Sequence, residues 1–311
     1  MKTAALFRPR RELGRTGFRA TRIGIGDIAD RRLPGTTLVG TLHRAMEAGL
    51  NVIDTAPMYE DGYSEEIVGA AVHHWRDRVF VIDKVDRLTE PIMPQVEASL
   101  RRLGLEAVDL FLLHALDGMA NWRRATLPGG ALDGLDRAVK AGKCRFRGIS
   151  SHDPDVLLAA ITAGACDVVL LPLGASCDLR FEDEVLPLAR RRGVGTLAMK
   201  AFGAGKLLGD TEGYNQPLKN RPRGKLSSGG RKASGEPLLP RLTVQECLNY
   251  TLTCDADVTL LGLSYPNEQD AAFRAARGFR KLSPKAMAAV RRRAEEAMAG
   301  KGRVWWNQAE K

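Results

Sequence analysis

The sequence predicts an α/β protein built as a parallel (β/α)8 TIM barrel, with an N-terminal hairpin and an extra C-terminal helix. Three observations carry that expectation. Short apolar runs alternate with stretches of helical spacing from Ile23 to Leu261, the order that builds a parallel sheet from strand–helix–strand units. Three of the runs stop on or beside a chemically useful polar residue: NVID at Asp54, VFVID before Lys84 and VDLFLL before His114. In parallel barrels the working groups come from the C-terminal ends of several strands, so these stops belong on one rim. The length of 311 residues accommodates one barrel of about 250 residues with additions.

In chain order, RELGRTGFRATRIGIG has turn-like glycines at Gly14 and Gly17, then the apolar run Ile23 to Ile25: a hairpin closing the barrel floor, followed by a first strand. Leu38, Leu42, Ala45 and Met46 give helical spacing over Thr37 to Ala48, stopped by Gly49. After the strand NVIDT, Ser64 is the candidate cap of a helix that buries Ile67, Val68, Ala71 and Val72. A short strand from Val79 to Ile82 and a helix from Pro94 to Leu103 repeat the unit, ended by Gly104. Val108 to Leu113 is largely apolar, as a strand covered on both faces should be. A loop is expected from His114 to Leu132, with Trp122 and the Pro128-Gly129-Gly130 turn, where substrate contacts could form.

Helix Leu132 to Ala141 and strand Cys144 to Ile149 come next, then a helix with Asp153 as N-cap and Pro154 as its first residue. Val168 to Leu171, Phe181 to Arg192 and Gly195 to Met199 read as strand, helix and strand. Residues 209–240, rich in Gly, Pro, Ser and basic side chains, break the rhythm as an insertion. It is either a solvated loop or a lid over a ligand, in which Lys219, Arg221, Arg223 and Lys225 would face phosphates. Thr243 opens a helix from Val244 to Thr253, and Val258 to Leu261 is the eighth strand. A final helix starts near Leu282 with Arg291 to Arg293 on its surface. Trp305 and Trp306 then pack a terminal tail or stand at the substrate mouth. Residues 1–311 read as a single barrel domain.

Composition excludes several classes. With 44% hydrophobic and 27% charged residues the chain is globular. No apolar run reaches the roughly 18 residues of a membrane span, and MKTAALFRPRRE is too polar for a secretory signal, so a cytoplasmic protein without membrane contact is expected. The net charge of +10 raises the question of nucleic acid, but the basic residues are spread along the chain and no nucleic-acid motif accompanies them. Five scattered cysteines without a CxxC pair argue against a disulfide framework or zinc site, and no metal is expected.

The strand stops and their surroundings resemble a known family. Asp54, Tyr59, Lys84 and His114, framed by TAPMY, SEEIVG, SLRRLGLEAVDLFLLH and GKCRFRGISS, resemble the aldo-keto reductases in residue type, order and spacing from about Leu13 to Ala276. SSHDPDVL and the MK at Lys200 are similar to a subgroup whose iron–sulfur cysteines this C-terminus lacks. The resemblance implies an oxidoreductase interconverting an aldehyde, ketone or sugar carbonyl and its alcohol with NADP, NAD being possible. A reductase-like regulatory or cofactor-binding subunit with weak turnover is the second reading.

Chemistry gives each of the four a role. Reducing a carbonyl needs a weak acid close to its oxygen, and the Tyr59 phenol suits that work as general acid/base. Lys84 is expected to lower the phenol's pKa from its ordinary ~10, and Asp54 to hold Lys84 charged and aimed. His114, donating from one ring nitrogen, would orient the substrate oxygen.

On the cofactor side, the resemblance implies Gly26 and Asp27 beside the nicotinamide, and Ser150 and Ser151 at its amide. Lys200, Phe202, Gly203 and Gly205 of MKAFGAGKLL would form the pyrophosphate turn. Ser264, Asn267 and Asp270 of GLSYPNEQDAAF would belong to the adenosine-phosphate loop. Leu170 and Leu173 stand where the family commonly has an amide and an aromatic ring. Asp270 stands where an Arg is common, and an acid there repels a 2′-phosphate, leaving Arg274 or the basic insertion to compensate.

Overall fold

β1 (Arg11–Glu12) and β2 (Arg19–Ala20) pair antiparallel as the expected hairpin. Its Leu13, Phe18 and Ala20 join the cluster that fills the barrel from below, with Phe18 tilted against Phe80. A Cβ on Gly14 would lie 2.1 Å from the Gly195 backbone nitrogen, and φ there is +50°. Only glycine fits so close an approach in a left-handed conformation. In the computed structural model the described residues are 5–311, apart from 29, 32, 210, 213–215, 218–238, 302–303, 305 and 308–311.

The barrel strands are β3 (Ile23–Ile25), β4 (Val52–Asp54), β5 (Phe80–Val85), β6 (Val108–Leu113), β7 (Cys144–Ser150), β8 (Val168–Pro172) and β9 (Gly195–Met199). A small antiparallel ladder of β10 (Thr211–Glu212) and β11 (Gln216–Pro217) precedes the last of them, β12 (Val258–Leu261). They close in the order β12-β3-β4-β5-β6-β7-β8-β9, every pair parallel. The helices are α1 (Gly35–Glu47), α2 (Tyr63–Val72), α3 (Ile92–Leu103), α4 (Met119–Ala125), α5 (Ala131–Lys140), α6 (Pro154–Thr162), α7 (Leu186–Arg192), α8 (Val244–Cys254), α9 (Pro266–Arg277) and α10 (Pro284–Met298).

Apolar residues divide into two shells because side chains alternate along a strand. Val52, Phe80, Ile82, Leu110, Leu112, Val168, Leu170, Leu197, Val258 and Leu260 fill the interior. Their neighbours, such as Ile53, Val81, Phe111, Ile149 and Val169, pack outward against the helices. Asp153 caps α6 by accepting from the Asp155 amide at 2.9 Å, and Thr243 with Glu246 forms a capping box on α8. No described helix is long and apolar enough to cross a membrane.

Several local expectations are corrected. β5 does not stop at Ile82: the ladder to β6 continues through Asp83 and Lys84, since main-chain pairing is indifferent to side-chain charge. α2 is capped by Gly62 at φ 85°, while Ser64 sits inside its first turn and accepts from Thr55 Oγ1 at 2.8 Å. The loop after His114 contains α4, anchored by buried Trp122 and Ala125. The helix expected from Phe181 begins as a π turn, Phe181–Val185, before α7. Arg291 turns inward and donates to Cys177 O at 2.6 Å, whereas Arg292 and Arg293 are exposed. Trp306 is fully buried and lies near Lys200 and Lys206, so it packs the tail. Trp305 and the basic residues Lys219, Arg221, Arg223 and Lys225 lie outside the described residues.

Candidate active site

Alternation along the strands assembles the site. In β5, Phe80 and Ile82 point into the barrel, so Lys84 does too. The same parity turns Asp54 inward after Val52, His114 after Leu110 and Leu112, and Ser150 after Phe146. These four positions stand above the apolar filling, at the C-terminal rim where parallel barrels carry their chemistry. Lys84 Nζ donates to Asp54 Oδ1 at 2.6 Å and to Thr55 O at 2.7 Å, with no exposure of the lysine side chain. The same ammonium lies 4.5 Å from the centre of the Tyr59 ring, which meets the His114 ring edge-on at 5.8 Å. The structure thus brings Asp54, Tyr59, Lys84 and His114 together.

Electrostatics correct one expectation. The Tyr59 pKa is pushed well above its ordinary value, first by burial and then by the negative potential of Asp54, Asp27 and Asp86. Lys84 favours the phenolate, but its ammonium is bound to Asp54, and burial with the surrounding carboxylates outweighs it. Asp54 is itself raised by burial, partly offset by Lys84. His114 is lowered, chiefly by burial, so its neutral form is favoured. The His114 Nδ1–H donates to Asp86 Oδ1 at 2.5 Å, so the single N–H of a neutral ring, expected to point at the substrate oxygen, is engaged by a carboxylate instead. A cavity of about 320 Å³ opens beside this pair, lined by Met58, Asp86, Thr89, His114, Asn121 and Arg124 among others.

The proposed cofactor residues fall into two groups. Gly26 is buried with its N–H donating to Leu261 O at 2.8 Å, and Asp27 is close enough to act on both Tyr59 and Lys200. Ser150 is buried, and its hydroxyl has no hydrogen-bond partner among the described residues. Ser176, missed in the sequence, has a similarly unpartnered hydroxyl, 3.1 Å from where a Cβ on Gly203 would stand. Lys200, Gly203, Ala204 and Gly205 all have left-handed φ, of 69°, 54°, 52° and 91°, coiling the chain after β9 tightly. Phe202 is buried within that coil, and burial pushes the Lys200 pKa down to about 8. Two orphaned hydroxyls, a glycine coil and a lysine on one rim fit the polar and anionic parts of a dinucleotide.

The second group departs from expectation. Ser151 has the opposite parity to Ser150, and its hydroxyl donates to Asp117 Oδ1 at 3.0 Å while accepting from the Asp153 amide at 3.0 Å. It frames a loop instead of facing the interior. Ser264 is buried after β12, whereas Asn267 and Asp270 lie on α9 rather than in a loop. Asp270 is ion-paired with Arg44 of α1, whose guanidinium also donates to Pro266 O at 2.8 Å. The expected repulsion at Asp270 is therefore met by a cation that sequence spacing gave no means of finding. Asp86 did leave a signal: it lies two and four residues beyond Lys84 and Ile82, on the same parity.

The model of the Aldo/keto reductase family matches residues 22–288. The chain belongs to that family. It is similar to methylglyoxal reductase YeaE of Escherichia coli, 34% identical over 132 residues, covering 42% of this chain and 43% of that protein. It is also similar to an NADH-specific methylglyoxal reductase of E. coli, 28% identical over 223 residues, covering 63% of this chain and 66% of the relative. The matches therefore span less than two thirds of these curated relatives. Among solved structures, an aldo-keto reductase from Klebsiella pneumoniae in complex with NADPH superposes with a TM-score of 0.65 at 23% identity, over 91% of this chain and 95% of that one. At that identity the likeness concerns the fold.

Proposed function

We propose that this chain is an NAD(P)H-dependent oxidoreductase that interconverts the carbonyl of a small aldehyde, ketone or sugar and its alcohol, acting in the cytoplasm as one barrel domain. The observation that carries the reading is the inward parity of Asp54, Lys84 and His114, which gathers them around Tyr59 above a filled interior. The relatives named as methylglyoxal reductases and the NADPH-bound neighbour support the same direction.

What a bound reduced nicotinamide supplies is hydride; the protein's own residues manage the proton and the geometry. Ser150, Ser176, Lys200, Gly203 and Gly205 are the residues that would hold the dinucleotide. Tyr59, kept protonated by burial and surrounding carboxylates, places an O–H where a carbonyl oxygen gains charge. Lys84, aimed by Asp54 and Thr55 O, lies against the ring and stabilises the phenolate that proton transfer leaves. His114 and Asp86 line the cavity next to this group, where the rest of a substrate would extend.

Following NADPH and NADH absorbance with a panel of aldehydes tests the reading. Tyr59→Phe is expected to lower kcat/KM by about 10²–10⁴-fold, the usual worth of a positioned acid. An unchanged rate removes Tyr59 from that role, and a parent protein that consumes no carbonyl favours a regulatory or cofactor-binding subunit.

A further inference from the structure

The contact between His114 and Asp86 fixes more than a ring position. Their side chains are 11% and 21% exposed, and the nitrogen–oxygen distance is 2.5 Å. A carboxylate can only accept a hydrogen bond, so the proton in this contact belongs to Nδ1. Neutral imidazole carries a single N–H, which leaves Nε2 as a bare acceptor. Burial favours the neutral ring, with Lys84 acting in the same sense and Asp86 and Asp54 opposing it. His114 and Asp86 both line the cavity, and among the described residues no hydrogen bond engages Nε2.

We propose that Asp86 is a positioning residue that presents His114 to the substrate as an acceptor, so that the site favours carbonyl compounds with an O–H or N–H donor beside the carbonyl. This rests on the carbonyl-reduction reading above. The division of labour follows from what each group offers. Tyr59 donates to the carbonyl oxygen, and Nε2 accepts from the neighbouring donor. A second oxygen without a hydrogen would meet the Nε2 lone pair with its own, and an alkyl neighbour would leave Nε2 without a partner. One neutral hydrogen bond gives a discrimination of about fivefold to tenfold.

Two measurements test the proposal separately. In histidine-¹⁵N-labelled protein without substrate, long-range ¹H–¹⁵N spectra near neutral pH should show His114 with a protonated Nδ1 and a bare Nε2, the resonances being assigned by their loss in His114→Asn. Asp86→Leu should move that proton to Nε2. A parent protein already protonated at Nε2 overturns the proposal whether or not it turns over, and needs no variant to fold. In kinetics with NADPH, the near-isosteric pair glycolaldehyde and propanal should differ by about fivefold to tenfold in kcat/KM in favour of the hydroxylated aldehyde, mainly through KM. Asp86→Leu should bring that ratio near one. The same ratio in both proteins overturns the assignment of selectivity to Asp86. Consumption of neither aldehyde by the parent counts against the carbonyl reading and the substrate preference together, while the nitrogen spectra still decide the tautomer.

Discussion

Replacing Lys84 with Met removes the partner of a carboxylate that is closed off from water. The two side chains are 0% and 4% exposed and 2.6 Å apart, and burial already raises the Asp54 pKa despite the ammonium. Without Lys84, Asp54 avoids isolated ionisation by taking up a proton. At pH 7 that uptake is opposed by the gap of roughly three pH units from an ordinary aspartate pKa of ~3.9, at about 1.4 kcal/mol each, or ~4 kcal/mol. The figure agrees with the roughly 3–5 kcal/mol typical of breaking a buried pair. The sign follows from a folded-state pKa raised above the unfolded one. The folded variant binds a proton that the unfolded chain has released, so its stability falls as pH rises above ~4. Urea unfolding of Lys84→Met should show a deficit against the parent that grows as pH rises from 5 to 7, with about 4 kcal/mol at pH 7 as its upper bound because Asp54 is already raised in the parent. Adding Asp54→Asn should recover most of the loss, because an amide needs no proton, while activity stays absent. A deficit independent of pH, or no recovery in the double variant, would refute the reasoning.

Two other perturbations have readable outcomes. Asp83 is fully buried on the outer face of β5, and burial followed by Glu65 raises its pKa well above the usual range. Its favourable protonated state is therefore lost as pH rises through that raised pKa, so Asp83→Asn should be more stable than the parent by about 1–3 kcal/mol at pH 8 and equal to it near pH 4, read from urea midpoints. Asp270→Asn releases Arg44 from its ion pair, and the kcat/KM ratio of NADPH to NADH should rise about twofold to fivefold. An unchanged or lower ratio would place Asp270 away from the 2′-phosphate.

Much of the fold was legible because a parallel barrel writes its strands as short apolar runs at regular intervals. β6 and β9 fall at their expected limits, Val108–Leu113 and Gly195–Met199, since apolar character begins and ends with the ladder. β5 exceeded its expected end because the charged Asp83 and Lys84 hide a continuing main-chain pairing. α4 was missed because seven residues give too little periodicity to distinguish a helix from a polar loop. At the site, the expectation rested on strand ends for Asp54, Lys84 and His114 and on resemblance for Ser150; parity, which is present in the sequence, accounts for all four pointing inward. Applied to the next residue it also places Ser151 outside, and applied two beyond Lys84 it points to Asp86. Arg44 could not be read in this way: it meets Asp270 across 226 positions, and nothing in α1 marks which exposed arginine reaches α9.

The acids around Tyr59 make the rim one electrostatic unit. A lone lysine beside a phenol would promote ionisation, and that was the expectation from the sequence. Here the lysine comes with Asp54 at bonding distance, and Asp27 and Asp86 add negative potential from other positions. Taken together they keep the phenol in its acid form, so the resting site holds the proton that a newly formed alkoxide requires. Lys84 then matters most after the proton has moved, when negative charge appears on the ring it already touches. Its role is to stabilise the phenolate formed during reaction; that stabilisation lowers the phenol's pKa, but by less than burial and the carboxylates raise it.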